Sequence, residues 1–530
     1  MTLANVLAHL RQRLFRSGVY DLTLRPNQTP PLLSPPVLFP GDGEKGRTSA
    51  LGDLVVITQS LRESHEKPKR VSSQFDRFRW LADLEASGLE TAASVAREFT
   101  GLWMKDQSRW SPDGWHLDVL SERLSAWLSY DAFLRDGAEP QFNALLLPSL
   151  HRQARHLSLA VRLGEDIEGG FGVSKALVYC ALLLPASGAK VEVSLTHLEA
   201  RIEAEILPDG GHRSRNPSMQ LSALRNLIDV RGLLSFAGAG VPVWLQIAID
   251  RMAPLLRAFR HGDGGLCLFN GAVPAREAEI TRVLEVAEAK GRAVANAPHS
   301  GFQRLSAGKT LIIMDAGIAE TDEGSTSGHA GTLSFEMSSS KRRVIVNCGV
   351  PRAGGGSLIE ICRGSAAHSA LVVENTNSTE ILDGGQMGPR RAQCQGTKRT
   401  EVDKNLLVES GHDGYLRPFG LLHKRALFLS ADGADIRGED ILSGPGRNQG
   451  VLRFHLHPDV QASRIEGGRS LLLRVGKTQG WRFRTSGYRI ELEDSIYFGD
   501  GERRQTAQIV VPVDHQEPET VIKWSFQREK

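Results

Sequence analysis

The apolar periodicity of this chain changes once, near Gly301, and that change limits it to two separately packed architectures in series. Before it, Leu117, Leu120, Leu124, Trp127 and Leu128 recur at three- and four-residue steps, as do Leu221, Leu224 and Ile228. That spacing lines one face of a helix. After it, Leu311–Met314, Val344–Val346, Leu371–Val373, Leu471–Leu473 and Ile509–Val511 are short apolar runs separated by Gly, Ser, Asn and Asp. Such runs predict an all-β region of many strands. In Leu452-Arg-Phe-His-Leu-His457 the even positions are apolar, so Arg453, His455 and His457 are expected together on the opposite face. Helices first and strands second exclude an alternating α/β sheet.

A chain of 530 residues is too long for one core. The expected division is a lead-in segment over residues 1–74, a helical domain over 75–298 and an all-β domain over 299–530. Prolines and glycines between Tyr20 and Asp53 make the lead-in irregular. Asp113 and Asp209 precede helical patterns and are expected to cap them.

A net charge of +3 gives no global field toward nucleic acid, and the clusters His212-Arg-Ser-Arg215 and Lys341-Arg-Arg343 read as solvated turns. Five scattered cysteines, with no Cys-x-x-Cys, exclude a disulfide framework and a cysteine zinc site. Buried thiols in a reducing compartment are expected. His9, Arg11, Arg13 and Arg16 interrupt the apolar residues of the first sixteen positions. This predicts an amphipathic helix, not a signal peptide. No run approaches a membrane span, so the reading is a soluble, cytoplasmic chain.

Two turns carry the most chemistry. Gly328-His-Ala-Gly-Thr-Leu-Ser-Phe-Glu336 and Arg363-Gly-Ser-Ala-Ala-His368 each set an imidazole beside glycine or other small residues. Imidazole is the side chain most readily tuned to move a proton near neutral pH. Small neighbours let a ligand approach the backbone. His329 and His368 are therefore the leading proton-transfer candidates. Arg213, Arg215 and Asn216 offer a clamp for a carboxylate, and His212, after Gly210-Gly211, a contact to a sugar hydroxyl. Trp103, Trp110, Trp115 and Trp127 are candidates for stacking on sugar rings, with Trp127 on the apolar stripe.

In their shared order, several segments resemble the heparinase II/III-like polysaccharide lyases. They are Phe39-Pro-Gly-Asp-Gly-Glu-Lys-Gly-Arg47, Phe75-Asp-Arg-Phe-Arg-Trp-Leu-Ala-Asp-Leu84, Leu207-Pro-Asp-Gly-Gly-His212, the two histidine turns and Phe454-His-Leu-His-Pro-Asp-Val460. The resemblance implies an N-terminal (α/α) toroid followed by a C-terminal antiparallel β-sandwich, with substrate in the cleft between them. It implies cleavage of uronic-acid glycans by β-elimination, which needs a neutralised carboxylate, a base and an acid. The partner is then an acidic polysaccharide or oligosaccharide, and the family's usual site of action, the periplasm or cell envelope, differs from the cytoplasmic reading. No cofactor is required. A structural zinc, as in some relatives, would fall to His423, His455 and His457.

Carried over by position, the family's asparagine-histidine pair falls on Glu168 and Gly169, upstream of Lys175-Ala-Leu177. Its tyrosine-histidine pair falls on Met219 and Gln220, and an aspartate often found two places after the first turn histidine falls on Gly331. Methionine exchanges no proton, and glutamate repels a uronate. Tyr415, on the turn His412-Asp-Gly-Tyr415, is the candidate replacement phenol. The alternative expectation is a catalytically silent acidic-glycan-binding or envelope-assembly protein. A third is a glycoside hydrolase using Glu168 with Glu336.

Overall fold

The structure is a computed structural model that describes residues 3–50, 52, 75–107, 109–165, 170–318, 327–351, 356–477 and 479–529. The chain divides into two compact units, one formed by Met1–Ala204 with Ala223–Ile249 and the other by Glu205–Ser222 with Asp250–Lys530. The division does not follow a single point along the sequence. The hairpin that carries Asp209 and His212 belongs to the unit that holds the sheets.

The first unit is helical. Its helices include Ala92–Asp106, Leu117–Ser129, Pro140–Arg162 and Phe171–Leu183. The expected stripe of Leu117, Leu120, Leu124, Trp127 and Leu128 is buried throughout. Trp103 and Trp115 join Trp127 in the same core. Edge-on contacts tie Trp103 to Trp127 at 5.6 Å and to Phe78 at 5.4 Å. These indoles are therefore packing elements and not platforms for sugars, which corrects the stacking expectation for Trp103 and Trp115. The helix Leu117–Ser129 follows His116, and no side chain caps it, so the cap expected of Asp113 does not form.

The second unit is an antiparallel β-sandwich. One sheet runs in spatial order through Asn296–Ala297, Phe302–Ala307, Thr310–Asp315, Phe335–Ser339, Arg342–Val346, Arg447–Leu456, Arg504–Gln516 and Glu491–Tyr497, with Leu371–Val373 added to Arg447–Leu456. The other runs through Val460–Ile465, Ser470–Val475, Gln479–Thr485, Glu519–Arg528, Asp435–Ser443, Leu422–Leu429, Asn405–His412 and Cys394–Val402. The expected strands at Leu311, Val344, Leu371, Leu471 and Ile509 are all present. Inward residues from both sheets form one core: Phe335 stacks on Trp524 at 5.6 Å, and Phe454 meets Phe483 and Phe526 edge-on. Leu452, Phe454 and Leu456 are buried as their alternation predicts.

A charge sits inside this core. Asp440 accepts hydrogen bonds from His423 Nε2 (2.8 Å), Arg425 Nε (2.8 Å) and Nη2 (3.2 Å), and Trp524 Nε1 (2.8 Å). Burial pushes its pKa up, but Arg425 and His423 overcome that and hold it below the usual carboxylate range. Arg425 reaches on to the carbonyls of Leu333 and Ser369, linking the second sheet to segments of the first. All five cysteines are free thiols, four of them buried.

Candidate functional site

Three segments of the second unit carry or adjoin His212, Arg213, Arg215, Asn216, His329 and His368. The first is the hairpin Leu207-Pro-Asp-Gly-Gly-His212, closed by the pairing of Ile206 with His212. Asp209 does not cap a helix. Its Oδ1 accepts from the Gly211 amide, and its Oδ2 from the amides of His299 and Ser300. The cap of helix Pro217–Phe236 is Asn216, whose Oδ1 accepts from the amides of Ser218 (2.8 Å) and Met219 (3.2 Å). Proline in the first helical position suits that start. His212 is held between Ser214 Oγ (2.8 Å) and Glu205 (3.1 Å).

Arg215 is not a carboxylate clamp for a ligand. Its guanidinium pairs with Asp315 and donates to the carbonyls of Ser300 and Ile318. The ion pair is buried, so opening Arg215 toward a ligand would strand the Asp315 charge. Arg213 is exposed on the turn. Gln220 is fully buried and braces the hairpin, accepting from the His212 amide and donating to the carbonyls of Gly210 and Met252. Met219 is 39% exposed on the first turn of the helix.

The second segment is the turn Phe269-Asn-Gly-Ala272, closed by the Ala272 amide donating to the Phe269 carbonyl. Asn270 and Gly271 take φ of 49° and 77°, two successive left-handed residues for which Asn-Gly is the favoured pair. Asn216 Nδ2 donates to the Asn270 carbonyl at 2.8 Å, which joins this turn to the helix start.

The third segment holds the imidazoles. His329 and His368, 39 residues apart, meet at 3.1 Å through Nδ1 and Nε2, with their rings edge-on at 85°. His368 Nδ1 lies 2.8 Å from the Gly364 carbonyl. A carbonyl only accepts, so His368 Nδ1 carries a proton and its Nε2 accepts from His329 Nδ1–H. The relay leaves a lone pair on His329 Nε2. Arg363 supports the pair by donating to the carbonyls of Gly328 and Gly385. Gly331 makes room for it, since a Cβ there would stand 2.6 Å from His368 Cδ2. Both rings are nearly sealed, at 5% and 2% exposure. Burial, His368 and Arg363 hold the His329 pKa well below the ordinary histidine value, and burial also lowers that of His368.

The remaining candidates lie apart. Tyr415 is fully buried, its hydroxyl donating to the Leu371 carbonyl at 2.8 Å, and burial pushes the phenol pKa up. His423 faces His412 and Asp440, His455 faces Ser495 and the Ala366 carbonyl, and His457 lies 3.7 Å from Asp459. These three histidines do not converge, and no group of three or more potential ligands forms a metal site among the described residues. Alternation along a strand set His455 and His457 near one another, but His423 belongs to the other sheet. Glu336 accepts from His261 and from the amides of Leu268 and Asn347, a bracing role. Glu168 and Gly169 lie outside the described residues.

Sequence reasoning passed over Gly271, Asp315, His412 and Asp440. The Asn-Gly pair was a turn signal for the first. Asp440 sits on the inward, otherwise apolar register of its strand with Ile436 and Leu442, and a carboxylate there demands partners.

Comparison with known proteins places this geometry in context. Residues 289–525 match the family model described as heparinase II/III-like, C-terminal. A crystal structure of heparinase III superposes with a TM-score of 0.70 at 13% identity, covering 98% of this chain and 91% of the other. The heparan sulfate lyase HepC of Pedobacter heparinus gives 0.60 at 15% identity over 89% and 78%. At such identities the likeness shows the fold, a helical N-terminal domain followed by an antiparallel β-sandwich. The FtsZ-localized protein C of Caulobacter vibrioides is 29% identical over 537 residues, 96% of this chain and 92% of that protein. No described helix is long and apolar enough to cross a membrane.

Proposed function

We propose that this chain, whose residues 289–525 match the family model described as heparinase II/III-like, C-terminal, keeps that family's saccharide-binding scaffold without the elimination chemistry, and that it localises with FtsZ. The observation that carries the first part is the commitment of the nominated phenol and of His368, which leaves no acid to partner His329. Elimination needs an acid and a base within reach of substrate. The Tyr415 hydroxyl is sealed against a carbonyl, and both His368 nitrogens are engaged. At the places of the family's tyrosine and histidine stand Met219, which has no exchangeable proton, and Gln220, whose amide holds the hairpin together.

The second part rests on likeness over nearly the whole of both chains to a protein named for its localisation with FtsZ. Co-sedimentation with FtsZ polymers tests it. The full chain is expected in the pellet only when FtsZ is polymerised, and a fluorescent fusion is expected to follow FtsZ in cells. A protein that stays in the supernatant and spreads evenly through the cell overturns this part.

One observation favours residual lyase activity. The relay leaves His329 Nε2 as an oriented lone pair, the form a general base needs. Its depressed pKa makes it a weak one.

A further inference from the structure

Resting on the saccharide-binding reading, we infer that the outward face of the second sheet carries a separate subsite for a uronate-bearing saccharide, its carboxylate held between Lys398 and Lys424. The site follows from strand alternation. Val408 on Asn405–His412, Leu427 on Leu422–Leu429, and Ile436 and Leu442 on Asp435–Ser443 point into the core. Glu409, Gly411, Lys424, Ala426, Glu439 and Ile441 therefore face away from it. With Lys398 of the edge strand Cys394–Val402 they line a depression of about 380 Å³, within the range of small-ligand sites.

Register fixes the layout. Glu409 stands opposite Lys398 on one side and Ala426 on the other, and Lys424 stands opposite Gly411 and Ile441. Gly411 and Ala426, diagonal neighbours, make the low floor. Lys424 leans over it, its Cγ 3.0 Å from where a Cβ on Gly411 would stand, so its stem runs toward the edge strand that carries Lys398. Lys398, Lys424 and Glu409 are exposed, and none of them has an ion-pair partner among the described residues. Glu439, by contrast, is paired with Lys523 at 3.2 Å. Two cations thus flank the floor, and a carboxylate lying over it supplies their counterion. The lining selects the rest of the ligand. The backbone groups of the two central strands are spent on the ladder, so recognition falls to side chains, and a peptide that adds a strand finds no free edge on this face. Glu409 accepts from ring hydroxyls, and Ala426 and Ile441 meet the C–H face of a sugar. A uronate brings one charge per residue, whereas a heavily sulfated chain would crowd anions against Glu409.

Titration calorimetry of the full chain with trigalacturonate, the neutral trimer of N-acetylglucosamine and triglutamate tests the inference. Lys398→Gln and Lys424→Gln each remove one charge from an exposed position and leave the core untouched. Lys404→Gln, on the turn that ends the edge strand, removes the same charge outside the depression. Trigalacturonate is expected to bind in preference to the other two, with each lining variant weakening it about fivefold and Lys404→Gln leaving it unchanged. Trigalacturonate binding that neither lining variant weakens, or that Lys404→Gln weakens equally, overturns the subsite and leaves the saccharide reading standing, as does preference for the neutral trimer. Triglutamate binding as tight as trigalacturonate overturns the choice of a saccharide for this face. Binding of neither saccharide overturns both readings.

Discussion

Acidification should destabilise the sandwich unit well before its carboxylates titrate, and His455 shows why. Its Nε2 donates to the Ala366 carbonyl at 2.9 Å, and its Nδ1 accepts from Ser495 Oγ at 2.7 Å. The ring is neutral and fully placed, and burial first of all pushes its pKa down to about 3. An unfolded histidine titrates near 6.5. Between those values the unfolded chain holds a proton that the folded chain lacks, so stability is present above pH ~6.5 and falls as pH falls below it. The loss is about 1.4 kcal/mol per pH unit for one such histidine. His261, His329, His368, His412 and His423 are depressed in the same direction, with burial the first cause. Their combined slope is large beside a typical total stability of about 5–15 kcal/mol. Urea unfolding followed by the β-sheet circular dichroism signal at pH 8, 7, 6 and 5.5 measures it. The midpoint should hold between pH 8 and 7 and drop steeply from 6 to 5.5. His455→Gln should make that drop shallower by about 1.4 kcal/mol per pH unit. A wild-type midpoint that is level or rising from pH 7 to 5.5 refutes the argument.

Three further outcomes follow from the packing. Asp440→Ala leaves the buried Arg425 charge with only carbonyl partners and should cost about 3–5 kcal/mol in urea unfolding; a loss under about 1 kcal/mol contradicts the network. A Cβ at Gly438 would stand 2.0 Å from the Trp524 ring, so Gly438→Ala should cost about 1–3 kcal/mol and shift the tryptophan emission. Gly331→Asp should push the His368 ring off His329, read as a change in both imidazole nitrogen shifts by NMR. Unchanged shifts would mean that the pair does not depend on the missing side chain.

The architecture was legible in the sequence because burial imposes a period, and Leu117 to Leu128 and Leu452 to Leu456 display theirs directly. The site was legible only in part. His329 and His368 stood out by their small neighbours, yet nothing local to either reports that they bond to each other. Arg215 looked like a ligand clamp because its partner Asp315 lies 100 residues away. Asp209 and Asn216 are both plausible caps by type. The choice fell to Asn216 because the amides of His299 and Ser300, far along the chain, claim Asp209. Hydrogen-bond allocation across sequence distance is what a one-dimensional pattern omits.

The proposed absence of elimination chemistry is tested most directly by ultraviolet absorbance, since each cleavage creates an unsaturated uronate. Full-length protein incubated with heparan sulfate, hyaluronan and polygalacturonate should give no rise above a heat-inactivated sample. A steady rise that His329→Ala abolishes would contradict the account and return the chain to the lyases.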